Sequence, residues 1–205
     1  IMLQLKLGKA WFNYPISFHE LECKESEIIF EDDKVTVITV PLKHRVYTNG
    51  FVFKEKLGER KINIEAVKDN NIDMSYLQKI KQGRDIENND GKLILNKQIT
   101  FDPEKPKSYA FCSDTQYYPA CIPTIKNVTV LYHESSFLDE HEYLCVKTRH
   151  STARQAALIA KEATVDRLIL GHYSTRYPSI EKFKAEAKQV FDNVELAEDG
   201  KKFII

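Results

Sequence analysis

The chain has 205 residues, of which 42% are hydrophobic, and this is enough for one domain with a buried core. Its 30 Lys and Arg residues equal its 30 Asp and Glu residues, so no global basic charge indicates a nucleic-acid partner and any such surface must be local. No apolar run approaches the roughly 18 residues that a membrane span needs, and the four cysteines show no CxxC spacing, which fits free thiols in the cytoplasm.

The first half of the chain predicts a hairpin and then a charged excursion. Residues 27–31 and 34–41 alternate β-branched and polar side chains around an acidic turn, and residues 50–53 continue the sheet. Residues 54–100 have few apolar runs and are interrupted by glycines, which indicates an inserted arm rather than core. Residues 54–84 carry eight basic and five acidic side chains, a modest local excess that is most often only a solvated face.

From residue 108 onward strands alternate with helices, which predicts a layered α/β fold. A helix is expected to begin at Thr152, whose Thr-x-x-Gln spacing to Gln155 is that of a capping box. The remaining predicted elements are strands at 109–112, 128–132, 167–170, 194–197 and 203–205 and a helix at 180–191.

Polar side chains follow several of the predicted strands. Asp114, His133-Glu134 and His172 each come directly after an apolar run, and His44 follows the strand that ends near Pro41. Ligands bind at the carboxyl ends of strands in open α/β sheets, and His and Asp are donors that suit zinc. A single such residue is more often a helix cap or a turn residue than a ligand. The spacing alone therefore indicates a metal hydrolase as one of several possible functions.

The order of the motifs resembles that of the ribonuclease Z family. The resemblance runs from about residue 1 to the C-terminus and is densest at residues 109–177. One motif departs from the family: its usual His-Glu-Ala-Thr is His-Glu-Ser-Ser here. We expect this change to have little effect, because the Glu is retained. The motifs are Pro41-Leu42-Lys43-His44 with Gly50-Phe51, then Ser113-Asp114-Thr115, His133-Glu134-Ser135-Ser136, His150-Ser151-Thr152-Ala153, and Gly171-His172-Tyr173-Ser174-Thr175-Arg176-Tyr177.

The resemblance implies an αβ/βα metallo-β-lactamase-like fold and a two-zinc endonuclease that removes the 3′ trailer of precursor tRNA. By this resemblance His44 binds one zinc ion, His172 binds the other, and Asp114 bridges them. The family's HxHxDH motif, which supplies four further ligands, is absent from residues 1–205. We therefore expect this chain to be a C-terminal portion of one domain that binds zinc weakly or not at all and is inactive alone.

The same resemblance assigns the proton-donating dyad to Glu134 and His150, with the carboxylate orienting the imidazole. Arg176 is a candidate for binding a phosphate of the RNA through its guanidinium group, but the sequence fits an ordinary surface arginine nearly as well. The arm occupies the position of the protruding arm that binds the body of the tRNA in the family. The resemblance therefore implies that Lys79, Lys81 and Arg84 of this chain contact the tRNA. A cytoplasmic homodimer is also implied.

Two other functions fit the sequence. One is a phosphodiesterase of the same fold that acts on small esters, which the arm argues against because a small substrate needs no distant contact. The other is a non-catalytic module for RNA binding or dimerisation that has lost its metal site.

Overall fold

The computed structural model describes Gly8 and residues 14–205, and it is built around one seven-stranded sheet. The tail of a helix is predicted from the helical spacing of Leu3, Leu7, Ala10 and Trp11, which lie outside the described residues. The strands of this sheet are β1 (Ile28–Glu31), β2 (Val35–Pro41), β3 (Asn49–Glu55), β8 (Ser108–Cys112), β9 (Val130–Glu134), β10 (Arg167–Gly171) and β11 (Val194–Leu196).

The sheet order β1-β2-β3-β8-β9-β10-β11 changes from antiparallel to parallel at β8. The pairs β1–β2, β2–β3 and β3–β8 are antiparallel, whereas β8–β9, β9–β10 and β10–β11 are parallel. Two antiparallel steps separate β2 from β8, so these two strands run in the same direction. The carboxyl ends of β2, β8, β9 and β10 therefore lie along one edge of the sheet.

Helices cover one face of the sheet. The helices after β8 are α4 (Ile122–Ile125), α5 (Glu142–Thr148), α6 (Ala153–Glu162) and α7 (Glu181–Ala187). The apolar stripe of α6, including Ala156 and Ile159, packs in one buried cluster with Leu131 and Leu168 of the sheet and with Phe183 of α7. The capping box predicted between Thr152 and Gln155 is present, and it fixes the start of α6.

The opposite face of the sheet carries aromatic side chains, because alternate residues of a strand point to opposite faces. Phe53 stacks on Tyr109, with ring centroids 6.3 Å apart, and Phe111 stacks on Tyr132 at 4.8 Å. Gly171 at the end of β10 leaves room for this layer, since a Cβ there would lie 2.2 Å from the Tyr132 hydroxyl oxygen.

The segment between β3 and β8 forms two small sheets with a core of its own. Its strands pair as β4 (Lys61–Ile62) with β7 (Thr100–Phe101) and as β5 (Ile86–Glu87) with β6 (Leu93–Ile94), and its helices are α1 (Ile64–Asp69), α2 (Leu77–Lys81) and α3 (Asn96–Ile99). A buried cluster that includes Val67, Ile80 and Ile99 holds them together. The sequence pattern predicted no core here, because these apolar residues are dispersed among charged ones. That residues 54–100 form an arm for RNA stays a prediction.

The structure corrects three predicted boundaries. His133 and Glu134 are the last two residues of β9 rather than the start of a loop, because β9 pairs with β10 as far as Gly171. The helix predicted at 180–191 is shorter, and residues 203–205 do not form a strand. Among the described residues the cysteines are free thiols, and no helix is both long enough and apolar enough to cross a membrane.

Candidate catalytic site

The polar residues predicted from the strand ends meet at one edge of the main sheet. His44 lies in the loop after β2, Asp114 follows β8, and His172 follows β10. Glu134 closes β9, and His150 lies in the short connection between α5 and α6. The common direction of these strands explains why residues more than 120 positions apart along the sequence, such as His44 and His172, come together.

Glu134 is a fully buried carboxylate that connects three loops of the site. Its Oε1 accepts hydrogen bonds from the Thr115 amide at 2.6 Å and from Nδ1 of His150 at 2.8 Å. Its Oε2 accepts from the Ser151 amide at 3.1 Å and from the Ser136 hydroxyl at 2.9 Å. A buried charge is tolerated only when it is well supplied with donors, and these four donors supply it.

Glu134 and His150 each shift the pKa of the other in the direction that favours its charged form. Burial acts to raise the pKa of Glu134, but the hydrogen bond and charge of His150, with the Ser151 amide, lower the pKa below its ordinary value. The hydrogen bond from His150 to this carboxylate raises the pKa of the imidazole, against the effect of burial. His150 therefore presents its Nε2 to the site and is favoured in the protonated form.

The three histidines form a continuous row. The ring centroids of His44 and His150 are 5.1 Å apart, and those of His150 and His172 are also 5.1 Å apart. Asp114 Oδ1 lies 3.3 Å from His172 Nε2. The structure thus brings together the three residues predicted to bind metal, and it places the predicted proton donor between two of them.

Ser136 joins the dyad to His172. Its hydroxyl oxygen lies 2.9 Å from Glu134 Oε2, 2.9 Å from His172 Nδ1 and 3.0 Å from the His172 carbonyl oxygen. The hydroxyl has one hydrogen, and of these three acceptors the ionised carboxylate forms the strongest hydrogen bond with it. Nδ1 of His172 must then donate its own hydrogen to Ser136, which leaves Nε2 free to face Asp114.

Three residues of the site have backbone angles in the left-handed region, which is uncommon for residues with side chains. The φ angles are 57° at Asp114, 64° at Arg149 and 59° at His172. Such conformations are held by surrounding contacts and are often found at functional sites. Here they turn the chain sharply after β8 and β10 and just before His150.

The donors suit a metal ion of the zinc type. One ligand atom from each of His44, Asp114 and His150 lies within 4.8 Å of the others, and Glu134, His150 and His172 form a second such group. Imidazole nitrogens and carboxylate oxygens are donors that zinc prefers. The assignment of His44, Asp114 and His172 as ligands, and of Glu134 and His150 as the dyad, stays a prediction.

The residues predicted to contact RNA lie in two places. The Arg176 guanidinium is 5.9 Å from the ring centroid of Phe137, and that centroid is 6.5 Å from the ring centroid of His150, so Arg176 lies beside the site. Lys79 and Lys81 on α2 and the nearby Arg84 are exposed on the lobe, which is the segment between β3 and β8 that has a core of its own. That these side chains contact RNA stays a prediction.

Sequence reasoning missed the hydroxyl and amide groups that organise the site. Thr115, Ser136 and Ser151 are each at least 96% buried, although Ser and Thr are usually exposed. All three stand next to, or two positions after, a predicted site residue, and this position was the signal that could have identified them.

Comparison with known proteins gives a consistent set of relatives. The chain is 40% identical over 208 residues to ribonuclease Z of Cytophaga hutchinsonii and 39% identical over 187 residues to that of Parabacteroides distasonis. The matches cover 100% and 91% of this chain but 66% and 62% of those proteins, so the chain spans slightly less than two thirds of their length. No family model matches the chain.

Solved structures show the same fold. The metallo-β-lactamase fold protein YhfI from Bacillus subtilis covers 85% of this chain with a TM-score of 0.55 at 18% identity, over 51% of its own length. A long form RNase Z from yeast covers 82% with a TM-score of 0.53 at 14% identity, over 17% of its own length. The seven-stranded sheet with its helical layer is therefore part of a metallo-β-lactamase fold. The homologues of the chain, 36–40% identical to it over 87–100% of its length, are named ribonuclease Z.

Proposed function

We propose that the protein is an endoribonuclease that removes the 3′ trailer of precursor tRNA. The observation that carries this proposal is the contact of 2.8 Å between His150 Nδ1 and the fully buried Glu134, in the middle of a row of candidate metal ligands. Sequence identity of 36–40% to proteins named ribonuclease Z supports it. The chain spans only part of those proteins, so the activity is proposed for a protein of their full length.

Zinc suits the residues present, because His44 and His172 offer imidazole nitrogens and Asp114, whose Oδ1 lies 3.3 Å from His172 Nε2, offers a carboxylate. When bound, two zinc ions would make a water nucleophilic and stabilise charge on the phosphate. In the proposed arrangement His44 would hold one ion and His172 the other, and Asp114 would supply a carboxylate to both. The remaining ligands would come from an HxHxDH motif that residues 1–205 lack.

His150 supplies the proton for the leaving group. Glu134 holds Nδ1 and stabilises the positive charge, so the transferable proton is on Nε2. As the bond between phosphorus and the 3′-oxygen breaks, this proton passes to that oxygen, and His150 becomes neutral. Glu134 stays ionised throughout, because its four donors favour the carboxylate.

RNA binding is divided between two surfaces in this proposal. Arg176, beside the dyad, would hold a phosphate close to the scissile bond. Lys79, Lys81 and Arg84, which are exposed on a separate lobe, would contact phosphates of the tRNA body. Family resemblance further suggests a homodimer in the cytoplasm.

The test compares the chain alone with the chain joined to the region that carries HxHxDH in its relatives. The joined protein should cleave a precursor tRNA at its 3′ side in a chelator-sensitive manner, and residues 1–205 alone should not. Chelator-sensitive cleavage by residues 1–205 would show that the HxHxDH ligands are dispensable. A joined protein that hydrolyses a small phosphodiester but leaves precursor tRNA intact would favour the small-ester alternative.

A further inference from the structure

Arg149 ends α5 in a conformation that arginine rarely adopts. Its φ angle is 64° and its ψ angle is 39°, the left-handed region that glycine and asparagine adopt most readily at the end of a helix. Its amide donates to the Cys145 carbonyl oxygen at 2.8 Å, and its carbonyl oxygen lies 3.0 Å from Nδ1 of His44. These backbone contacts do not require an arginine, so the strained position indicates that the side chain has a role of its own.

The guanidinium group of Arg149 is directed toward the segment that carries Asp114. Its Nη1 donates to Oε1 of Gln116 at 2.6 Å. Gln116 is itself fixed, because its amide donates to the Lys43 carbonyl oxygen at 2.9 Å. The guanidinium therefore lies at the His44 end of the row of histidines, beside the loops that follow β2 and β8.

The charge of this guanidinium is not paired with a carboxylate. Among residues 14–205, the arginines that lie within 4.0 Å of a carboxylate are Arg60, Arg154 and Arg167. Arg149 instead donates to a neutral amide, which orients the guanidinium without neutralising it. Arginine stays protonated at physiological pH, and its planar fork of donors matches the oxygens of a phosphate. A fixed cation whose charge is not neutralised, beside a site for phosphodiester cleavage, is suited to bind a second phosphate.

We propose that Arg149 binds a phosphate next to the scissile one, so that the site takes a polynucleotide rather than an isolated phosphodiester. The proposal rests on the proposed RNA cleavage and adds a contact with the RNA strand. Arg176 contacts Phe137, which lies beside His150, whereas Arg149 lies at His44. The two arginines therefore have different places along the row of histidines and bind different phosphates of one RNA strand.

A cation at the end of α5 also has a structural use. A positive charge in the last turn of a helix stabilises it by interacting with the carbonyl groups at its C-terminal end. Lys147 is an exposed cation in the last turn of α5. Lys147→Asn is therefore the matched control for Arg149→Asn, since it makes the same change in charge at the same end of the helix.

Arg149→Asn separates the structural use from RNA binding, because asparagine accepts the left-handed conformation but carries no charge. In the joined protein, this variant should unfold at about the wild-type temperature. It should nevertheless lower kcat/KM for precursor tRNA about 10- to 100-fold, the range that a charge-assisted hydrogen bond contributes, and flatten the dependence of log affinity on log salt by about 0.7 to 0.9. Hydrolysis of a small phosphodiester, which has no second phosphate, should stay near the wild-type rate. Lys147→Asn should leave both activities near wild-type values.

A modified substrate tests the same contact on the wild-type protein. Precursor tRNA assembled by ligation can carry a neutral methylphosphonate in place of the phosphate on the 5′ side or on the 3′ side of the scissile one. At one of these two positions, the wild-type joined protein should lose about as much kcat/KM as Arg149→Asn loses on the unmodified substrate. Arg149→Asn should lose nothing further there, because the two changes remove the same contact.

Three results would overturn the proposal. They are wild-type kinetics of Arg149→Asn on precursor tRNA, additive losses at both methylphosphonate positions, and an equal loss on precursor tRNA and the small phosphodiester, which would show that Arg149 only supports the histidines. A wild-type joined protein that binds precursor tRNA without cleaving it would contradict the proposed function alone, since equilibrium binding by the same variants still measures the phosphate contact. A wild-type joined protein that does not bind precursor tRNA would contradict both.

Discussion

The Nδ1 atom of His150 lies 2.8 Å from Oε1 of Glu134, a carboxylate with no exposed side-chain surface. Because Glu134 also accepts from the amides of Thr115 and Ser151, it cannot rotate away from the imidazole without losing several hydrogen bonds. The orientation of His150 is therefore fixed by the loops around it, and this fixed orientation is what a general acid requires.

Replacing either member of this dyad should lower turnover with little effect on binding. The complete protein is here the chain joined to the region that carries HxHxDH in its relatives. In it, His150→Ala or Glu134→Gln should reduce the turnover of precursor tRNA by roughly 10²- to 10⁴-fold, the usual contribution of a positioned acid. Single-turnover cleavage and equilibrium RNA binding measure the two effects. A small phosphodiester with a good leaving group should be less affected, because it needs no proton, and an equal loss on both substrates would argue against a role as acid.

The hydroxyl of Ser136 should matter through His172. Ser136→Ala removes the partner of His172 Nδ1 at 2.9 Å and should lower the zinc affinity of the complete protein about 10- to 100-fold. Ser136→Thr keeps the hydroxyl and should retain affinity, in agreement with the small effect expected for this departure from the family's motif.

Ser135→Ala is the matched control for Ser136→Ala. The Ser135 hydroxyl donates to the Gly171 carbonyl oxygen at 3.2 Å. Chelator competition on the three variants, with thermal unfolding as a check of the fold, decides the matter. Equal losses in Ser135→Ala and Ser136→Ala would show that Ser136 supports the strand end rather than the histidine.

The sequence predicted the strands of the main sheet better than it predicted the organisation of the site. Alternating apolar residues specify β2 and β3, and the capping box specifies the start of α6, because these signals are local. The rule that ligands bind at strand ends, together with the resemblance to the ribonuclease Z family, predicted that His44, Asp114 and His172 would lie close together. It did not follow that His150 would stand between two of the candidate ligands, since that depends on how the α5–α6 connection packs.

The small core of the lobe was not predictable from periodicity. Val67, Ile80 and Ile99 lie on three short helices, and each contributes one buried side chain to a shared cluster. Helices of four to six residues are too short to show an apolar stripe, so the pattern looks like a solvated surface. Long-range packing supplies what the local sequence does not show.

His133 should make stability depend on pH. Burial lowers its pKa below the ordinary 6.5, against its hydrogen bond to the Glu134 carbonyl and the charge of Glu134. The unfolded chain then binds a proton more readily than the folded chain, so stability falls as pH falls below about 6.5, by no more than about 1.4 kcal/mol per pH unit for one group.

Urea denaturation of residues 1–205 in the presence of a chelator, at several pH values from about 5 to 8, measures this dependence. His133→Gln should flatten the acid side of the profile, whereas the control His19→Gln should reproduce the wild-type slope. A profile of His133→Gln that is parallel to the wild type would show that another group is responsible for the acid sensitivity.

The exposed cations of the lobe should act on RNA affinity alone. Neutralising Lys79, Lys81 and Arg84 together in the complete protein should chiefly raise KM for precursor tRNA and leave hydrolysis of a small phosphodiester nearly unchanged. Each lost phosphate contact should flatten the dependence of log affinity on log salt by about 0.9 or somewhat less, through counterion release. The native contacts of these side chains are weak surface contacts, a cation–π contact of Lys79 with Tyr76 and an exposed pair of Lys81 with Glu59.

Neutralising Lys161, Lys182 and Lys188, which are exposed on and next to the helical layer, makes the same change in net charge and serves as the control. This control should leave both KM and the salt dependence near their wild-type values, because these residues lie outside the lobe. Salt titrations of RNA binding and parallel assays of the two substrates distinguish the outcomes. If the lobe variant slows both substrates equally, the lobe supports the fold rather than the RNA, and the small-ester activity becomes the better account of the site.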